Sequence, residues 1–222
     1  MILAHFDQDK QISENLTESF LEIVQSVSEL LTEHGFNIQP YKDANNLEFL
    51  KLDLASQLKT IEHFKIYAEV LIDTHRSEEL QDTRVLLWNM LKRMGYFPTD
   101  DILSKIQNHH IIEIYNKQNV QVFRNLSFFK VCSYSLDEIL CIPWWKLYHR
   151  EEKISQEIFK FGSMILSGEL KHSISPDIPT HVLAETSSRS NYTMNVDINY
   201  LSSLESHEGD KAALVLETAH LI

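Results

Sequence analysis

The sequence predicts an α+β protein in which a helical first half precedes a second half built on an antiparallel sheet. In the first half, apolar residues recur at three- and four-residue steps, the spacing of one face of a helix. Beyond residue 110 the period falls to two in several short runs rich in β-branched and aromatic residues, which is typical of strands. We therefore predict a helical domain over residues 1–107 and a second, sheet-containing domain over residues 108–222.

Capping residues predict several of the helix boundaries in the first half. Gly35 and Gly95 follow apolar helical patterns and are expected to end two helices. Ser77, followed by two glutamates, is expected to cap the start of a third, because carboxylates suit the positive end of the helix dipole. The four predicted helices span residues 13–34, 46–75, 77–95 and 98–107.

The second predicted helix carries an apolar seam at heptad spacing. Its members are Leu47, Leu50, Leu54, Ile61, Phe64, Ala68 and Leu71. Such a seam can pack against the first helix within one chain, or it can meet the same seam of a second copy. This helix is about 30 residues long, which is longer than four modest helices need in order to cover one another's apolar faces. Part of its apolar stripe is therefore expected to have no partner within the chain, and this favours a homodimer.

In the second half, short strands surround a group of helices. Ser135 and Glu138 have the spacing of a capping box at the start of a short helix, and a longer helix over residues 151–167 is stopped by Gly168. Residues 208–210 read as a turn between the last two strands. The five predicted strands span residues 110–116, 120–125, 180–187, 192–200 and 211–222.

Three local segments accompany this order of two strands, short helices, one longer helix and three strands. Asn125 follows the second strand, residues 134–140 read YSLDEIL, and residues 149–152 read HREE. The order and the segments resemble the PAS domain. In that family a GYS-x-E-E-L stretch corresponds to residues 134–140 here, and an H-P-E-D helix start corresponds to residues 149–152. The resemblance covers about residues 108–222. Ser133 and Arg150 depart from it, since the family usually has Gly and Pro there.

What the PAS resemblance implies is a sensory or interaction module. Its sheet and covering helices would enclose a small apolar pocket or form a docking surface for a protein, and the signal would pass through dimer-forming helices. The resemblance assigns no cofactor. The residues that it suggests for the ligand pocket are Phe128, Cys132, Trp145, His149, Met164, Tyr192, Met194 and Val196.

Composition narrows the classes of partner. With 32 acidic and 20 basic residues the formal charge is -12, which opposes attraction to nucleic acid or to an anionic membrane. No run of residues is long and apolar enough for a membrane span, no secretion signal is evident, and the two cysteines lack a metal-binding or disulfide pattern. We therefore expect a cytoplasmic protein whose partners are a small apolar ligand or another protein.

Motifs for catalysis or metal binding are missing from the sequence. There is no GxSxG, P-loop or GxGxxG, and the eleven histidines have no metal-ligand spacing, so we expect neither an enzyme nor a metal site. The carboxylates are expected at helix starts and on polar faces, where solvent explains them. The leading interpretation is a signal-transduction regulator. The alternatives are an interaction module that binds no ligand and, behind it, an enzyme or a DNA-binding regulator with a helix-turn-helix over residues 86–109.

Overall fold

The computed structural model describes the backbone of residues 2–98 and 101–222, and the side chains from residue 15 onward within those ranges. Its α-helices are α1 (Ile2–Glu33), α2 (Leu54–Arg76), α3 (Thr83–Met94), α4 (Ile102–Lys105), α5 (Leu136–Cys141), α6 (Trp144–Leu147) and α7 (Glu152–Ser167). Its strands are β1 (Tyr96–Pro98), β2 (Ile111–Asn116), β3 (Gln121–Arg124), β4 (Tyr148–His149), β5 (His181–Glu185), β6 (Thr193–Ser206) and β7 (Lys211–Leu221). Short 3-10 helices cover Glu48–Lys51 and Leu126–Lys130.

Seven strands form one antiparallel sheet, so the α+β class is confirmed and the predicted count of five strands is wrong. The strand order is β3-β2-β7-β6-β5-β4, and β1 pairs with the far end of β6. All five predicted strands are present. The two additional strands, β1 and β4, have only three and two residues, too few for any periodicity to show.

The first three predicted helices of the first half all start elsewhere than predicted. The first begins at Ile2 rather than at residue 13. The predicted helix over residues 46–75 is divided, because Asp53 caps a new helix by accepting a hydrogen bond from the Ser56 amide at 2.7 Å. Ser77 does not start a helix. It ends α2, its hydroxyl donates to the carbonyl of Thr74 at 3.0 Å, and α3 begins only after Asp82.

Other predicted boundaries are confirmed. Gly95 and Gly168 end α3 and α7 in the left-handed conformation, at φ of +71° and +82°. Ser135 and Glu138 form the predicted capping box at the start of α5. The predicted fourth helix reduces to α4, and Thr99 and Asp100 lie outside the described residues.

The two faces of the sheet have different neighbours. The outer face, which carries Ile112, Ile114, Leu214 and Leu216, packs into the same apolar core as α1, α2 and α3. The inner face, which carries Ala213, Leu201 and Ile198, packs against α7 in a second cluster. The larger core therefore runs across the predicted domain boundary near residue 107, since it includes residues from both sides.

The heptad seam is used mostly inside the chain. Leu47, Ile61, Phe64, Ala68 and Leu71 are buried in the core that α2 shares with α1 and α3. Leu50 and Leu54 remain 46% and 42% exposed. The internal-packing alternative thus accounts for most of the seam. Among the described helices, none is sufficiently long and apolar to cross a membrane.

Candidate functional site

Three cavities meet around Trp144, the first residue of α6. The largest is a groove of about 290 Å³ between α2, the β2–β3 turn and the segment from α5 to α6. Two smaller cavities, of about 70 Å³ and 40 Å³, lie on the inner face of the sheet. Trp144 lines all three, so its indole separates the groove from the interior.

Ionisable side chains occupy the inner face where the two small cavities adjoin. We call Glu113, Tyr115, Arg124, Arg150 and Glu217 the inner cluster. Glu113, Tyr115, Arg150 and Glu217 line both small cavities. Arg124 lies directly opposite Glu113 on the neighbouring strand β3.

The strands place this cluster by simple alternation. Glu113 and Tyr115 are two residues apart on β2, so both point to the inner face while Ile112 and Ile114 point to the outer face. Glu217 pairs with Ile111 in the β2–β7 register and therefore shares that inner face. Arg150 reaches the cluster from the segment that joins β4 to α7.

Glu113 is the best-satisfied member of the cluster. The Tyr115 hydroxyl donates to one carboxylate oxygen at 2.7 Å, and the amide of Gln121 donates to the other at 2.5 Å. Glu113 is also buried, which corrects the expectation that solvent explains the carboxylates. A carboxylate on a buried strand depends on such donors, because burial without a hydrogen bond is costly.

The other charged members lack comparable partners. Arg124 is 3% exposed; its Nη2 donates to the carbonyl of Ile139 at 3.2 Å, but its Nη1 has no partner in the described part of the chain. The buried Nε of Arg150 also has none there. Among the described residues, neither guanidinium lies within 4.0 Å of a cluster carboxylate. Buried charges usually occur in close pairs, so this separation is unusual.

Burial shifts the protonation equilibria of these groups. It raises the pKa of Glu217 to about 8, with repulsion by Glu113 adding to the effect and attraction by Arg150 opposing it. Burial also raises the pKa of Glu113, against its hydrogen bonds and the nearby guanidinium groups. The pKa of Arg150 is lowered by burial, although the carboxylates counteract the change. Burial therefore favours the neutral forms of Glu113 and Glu217.

Trp144 holds the Arg150 side chain in position. The guanidinium carbon lies 5.1 Å from the centroid of the Trp144 ring, a distance typical of cation–π contacts. Trp144 in turn contacts the rings of Tyr115 and Phe159, with centroids 6.1 Å and 5.1 Å away. The wall between the groove and the inner cluster is therefore aromatic and packed on both sides.

The pocket residues suggested by the PAS resemblance separate into groups. Phe128 and Met194 line the 40 Å³ cavity. Cys132 lies buried nearby, and the Tyr148 hydroxyl donates to its sulfur at 3.7 Å. Val196 and Tyr192 pack in a small apolar cluster with Met194.

The remaining suggested residues lie elsewhere. Trp145 is 43% exposed and lines the outer groove. His149 is exposed, and Met164 is partly buried on α7 without lining any of these cavities. The structure thus brings two of the eight suggested residues, Phe128 and Met194, to the small cavities.

Sequence reasoning missed Glu113, Arg150 and Glu217 as site residues. A signal was available for the two glutamates, since each interrupts a run of apolar strand residues, in IIEIY and LVLETA. No comparable signal exists for Arg150, whose position depends on the path of the chain between β4 and α7. In the described part of the chain, no group of three or more His, Cys, Asp or Glu is arranged to hold a metal ion.

Comparison of the chain with protein-family models, with curated proteins and with solved structures finds no match.

Proposed function

We propose that this protein is a regulator in signal transduction whose PAS-like second half binds a small molecule at the inner cluster and relays its presence to the helical half. The observation that carries the proposal is the pairing of empty volume with buried charged groups that do not neutralise each other directly. A cavity with a few convergent polar groups and perturbed pKa values is the usual form of a ligand site.

The sheet supports the PAS-like part of the proposal. Along the chain, β2 and β3 come first, short helices and the longer α7 follow, and β5, β6 and β7 complete one antiparallel sheet. This is the order of elements on which the resemblance rests. The added strands β1 and β4 pair at the margins of the sheet and leave that order unchanged.

A physical connection from the cavities to the helical half supports the relay. Trp144 begins α6, and only Ile142 and Pro143 separate it from the end of α5. On α5, the Asp137 carboxylate accepts hydrogen bonds from the amides of Glu48 and Phe49 at 2.8 Å and 3.0 Å. Glu138 forms an ion pair with Lys42 at 2.6 Å. A ligand that moves Trp144 would therefore also move α5, which is bonded directly to the first half through Asp137 and Glu138.

Binding is proposed rather than catalysis because the candidate nucleophiles are not activated. Burial raises the pKa of Cys132 to about 12 and the pKa of Cys141 well above its ordinary value. A thiolate, not a thiol, is the reactive form of cysteine. The two thiols therefore stay protonated, as structural cysteines do.

Gly162 offers a direct test of where the ligand binds. It lies on α7 and lines the 70 Å³ cavity, and a Cβ atom added there would meet nothing within 4 Å. Gly162→Leu should therefore fill the cavity while the fold is kept. Native mass spectrometry of the intact chain should find a small molecule bound to the unmodified protein and absent from the variant. Equal retention by both proteins, or no ligand on either after incubation with a cell extract, would contradict the proposal.

A protein-interaction role is the second candidate, and an exposed apolar rim favours it. Trp145, Phe159 and Val120 are 43%, 37% and 42% exposed, and the ring centroids of Trp145 and Phe159 are 5.9 Å apart. Exposed aromatic residues are enriched at protein interfaces. If this role is the correct one, Trp145→Ala should weaken binding of a partner protein, and Gly162→Leu should leave that binding unchanged.

Homodimerisation stays a prediction, now through the exposed start of α2. Leu54 and Leu58 are 42% and 49% exposed there, and Leu50, in the short 3-10 helix before α2, is 46% exposed. Leu54→Glu should give a monomer that remains folded, whereas Phe64→Glu should unfold the helical half, because Phe64 is 2% exposed and its replacement would bury an unpaired charge. Light scattering that reports 25.9 kDa for the unmodified protein at micromolar concentration would show the dimer prediction to be wrong.

A further inference from the structure

The inner cluster holds two guanidinium groups whose donors are not all used. Both oxygens of Glu113 already accept hydrogen bonds, from Tyr115 and Gln121. Arg124 Nη1 and Arg150 Nε have no acceptor among the described residues. A buried donor without a partner costs about 1–3 kcal/mol, and more when it is charged. A ligand in the small cavities that supplies an acceptor to Arg150 would recover part of that cost.

The charge around the cavity selects the sign of the ligand. Arg150 lines both small cavities together with Glu113 and Glu217, and Arg124 pairs with Glu113 across the strands. Burial, with repulsion by Glu113 added, favours the protonated form of Glu217. With a proton on Glu217, the two guanidinium groups outnumber the remaining carboxylate. An anion in the small cavities would be attracted by Arg150, whereas a cation would be repelled by it.

Arg150 is prepared to bind a planar anion. Its guanidinium lies against the Trp144 ring, so little side-chain freedom remains to be lost on binding. Guanidinium groups match carboxylates in shape and can donate two parallel hydrogen bonds to them. Because Arg150 lines both small cavities, a carboxylate bound there would lie where the two cavities adjoin.

Beyond Arg150 the larger of these cavities is apolar. It lies between α7 and the sheet, and its walls include Ile158, Phe159, Ile165, Ile198, Leu201 and Val215. Its volume of about 70 Å³ would hold several water molecules, since one water needs roughly 10–15 Å³. Apolar walls hold water poorly, so this volume suits the hydrocarbon part of a ligand.

We infer that the ligand of this protein is a small monocarboxylic acid whose carboxylate is bound by Arg150 and whose short apolar body lies between α7 and the sheet. This inference rests on the proposed small-molecule function and specifies its ligand class. It also revises the expectation of a purely apolar ligand, because the cavity combines apolar walls with a charged end.

Three molecules of the same shape test the inference: 3-methylbutanoate, 3-methylbutanamide and 3-methylbutylamine. They carry an anionic, a neutral and a cationic group on one branched chain. Titration of the intact protein, followed by calorimetry and by NMR, should show binding of the carboxylate and at least about 10-fold weaker binding of the amide and the amine. One charge-assisted hydrogen bond accounts for a ratio of that size.

Variants at Arg150 locate the interaction. Arg150→Gln should lower the affinity for 3-methylbutanoate at least about 10-fold, and Arg150→Lys, which keeps the charge but not the planar group, should lower it less. Lys153→Gln is the matched control, because it removes the same charge from an exposed position at the start of α7 and should leave the affinity unchanged. Urea unfolding of each variant checks that it is folded, and Arg150→Lys serves if Arg150→Gln is not.

The outcomes separate this inference from the proposed function. Equal binding of the amide and the carboxylate, abolished by Gly162→Leu but insensitive to Arg150, would overturn the carboxylate inference and leave small-molecule binding in place. Binding of the amine in preference to the carboxylate would do the same. If none of the three binds, the ligand class is wrong, and the ligand retained in native mass spectrometry decides the proposed function separately.

Discussion

The outer and inner faces of the sheet are made from alternate residues of the same strands, yet they are built for different purposes. On β2, Ile112 and Ile114 are completely buried against the helical half, whereas Glu113 and Tyr115 lie beside cavities. On β7, Leu214 and Leu216 are likewise fully buried, whereas Val215 and Glu217 line the cavity of about 70 Å³. Close packing of the outer face stabilises the fold, and this offsets the free-energy cost of burying charged groups beside cavities on the inner face.

The largest expected effect compares neighbouring residues on β7. Leu214→Ala should lower the free energy of unfolding by about 2–5 kcal/mol, because it opens a void in a fully packed core. Val215→Ala, on the inner face, should cost only about 1 kcal/mol, since Val215 already borders open volume. Urea unfolding measures both. Equal losses would mean that the two faces are equally well packed.

The next effect concerns pH. Because the pKa of Glu217 is about 8 in the folded protein and near 4.5 otherwise, the folded state retains a proton that the unfolded state releases. Stability should therefore fall as the pH rises from about 4.5 to about 8, by at most about 1.4 kcal/mol per pH unit for this group. Glu217→Gln should flatten that decline and stabilise the protein most at the alkaline end.

Urea unfolding at several pH values checks this effect. Glu208→Gln, at an exposed turn, is the control and should keep the slope of the unmodified protein. Glu113 should preserve part of the decline in the Glu217 variant, because burial raises its pKa as well. An unchanged slope in Glu217→Gln would show that its carboxyl is not held in its neutral form by the fold.

Loss of the cap of α5 should have a smaller effect on stability. Ser135→Ala should cost about 1 kcal/mol, since the hydroxyl accepts from the Glu138 amide and the Glu138 carboxylate accepts from the Ser135 amide. Ser167→Ala, at the exposed end of α7, is a suitable control, because its hydroxyl bonds only to a carbonyl of its own last turn. A loss of less than a few tenths of a kcal/mol in the free energy of unfolding of Ser135→Ala would show that the capping box contributes little to stability.

The smallest effect is a gain in stability. Gly162→Ala should stabilise the protein by about 0.5–1 kcal/mol, because alanine favours the helix and its Cβ meets open space. Gly168→Ala should do the opposite, since φ is +82° there and a Cβ would lie 2.8 Å from the Lys211 ammonium nitrogen. Thermal unfolding of the two variants in parallel measures the contrast. A loss of stability in Gly162→Ala would mean that the inner cavity is already filled at this point.

The sequence predicted local structure well where the signal is local. The cap of α5, the glycine that ends α3 and the five longer strands were all read from nearby residues. The division of the second helix was missed, because the amides of Glu48 and Phe49 are held by Asp137, almost ninety residues away. Ser77 was misread because serine followed by acids has the same appearance at the start and just after the end of a helix.

The candidate site was harder to predict than the fold. Charged residues are usually exposed, so Glu113 and Glu217 were attributed to polar surfaces, and only the strand register shows that they share a buried face. Arg150 was treated as a departure from a family pattern, whereas it is the arginine of the inner cluster that lines both small cavities. Residues that are distant in the sequence and meet only in the fold, as these three do, leave no periodic pattern or characteristic spacing in a single sequence.

The way in which β6 is bordered also affects how the protein behaves at high concentration. One side of this 14-residue strand is paired by β7, and the other is occupied in turn by β5, by a single bridge from Ile174 and by β1. The strand order therefore ends at β3 and β4, which have four and two residues. Short terminal strands offer few free backbone groups to another chain, so edge-to-edge aggregation of this sheet is disfavoured even though it contains two long strands.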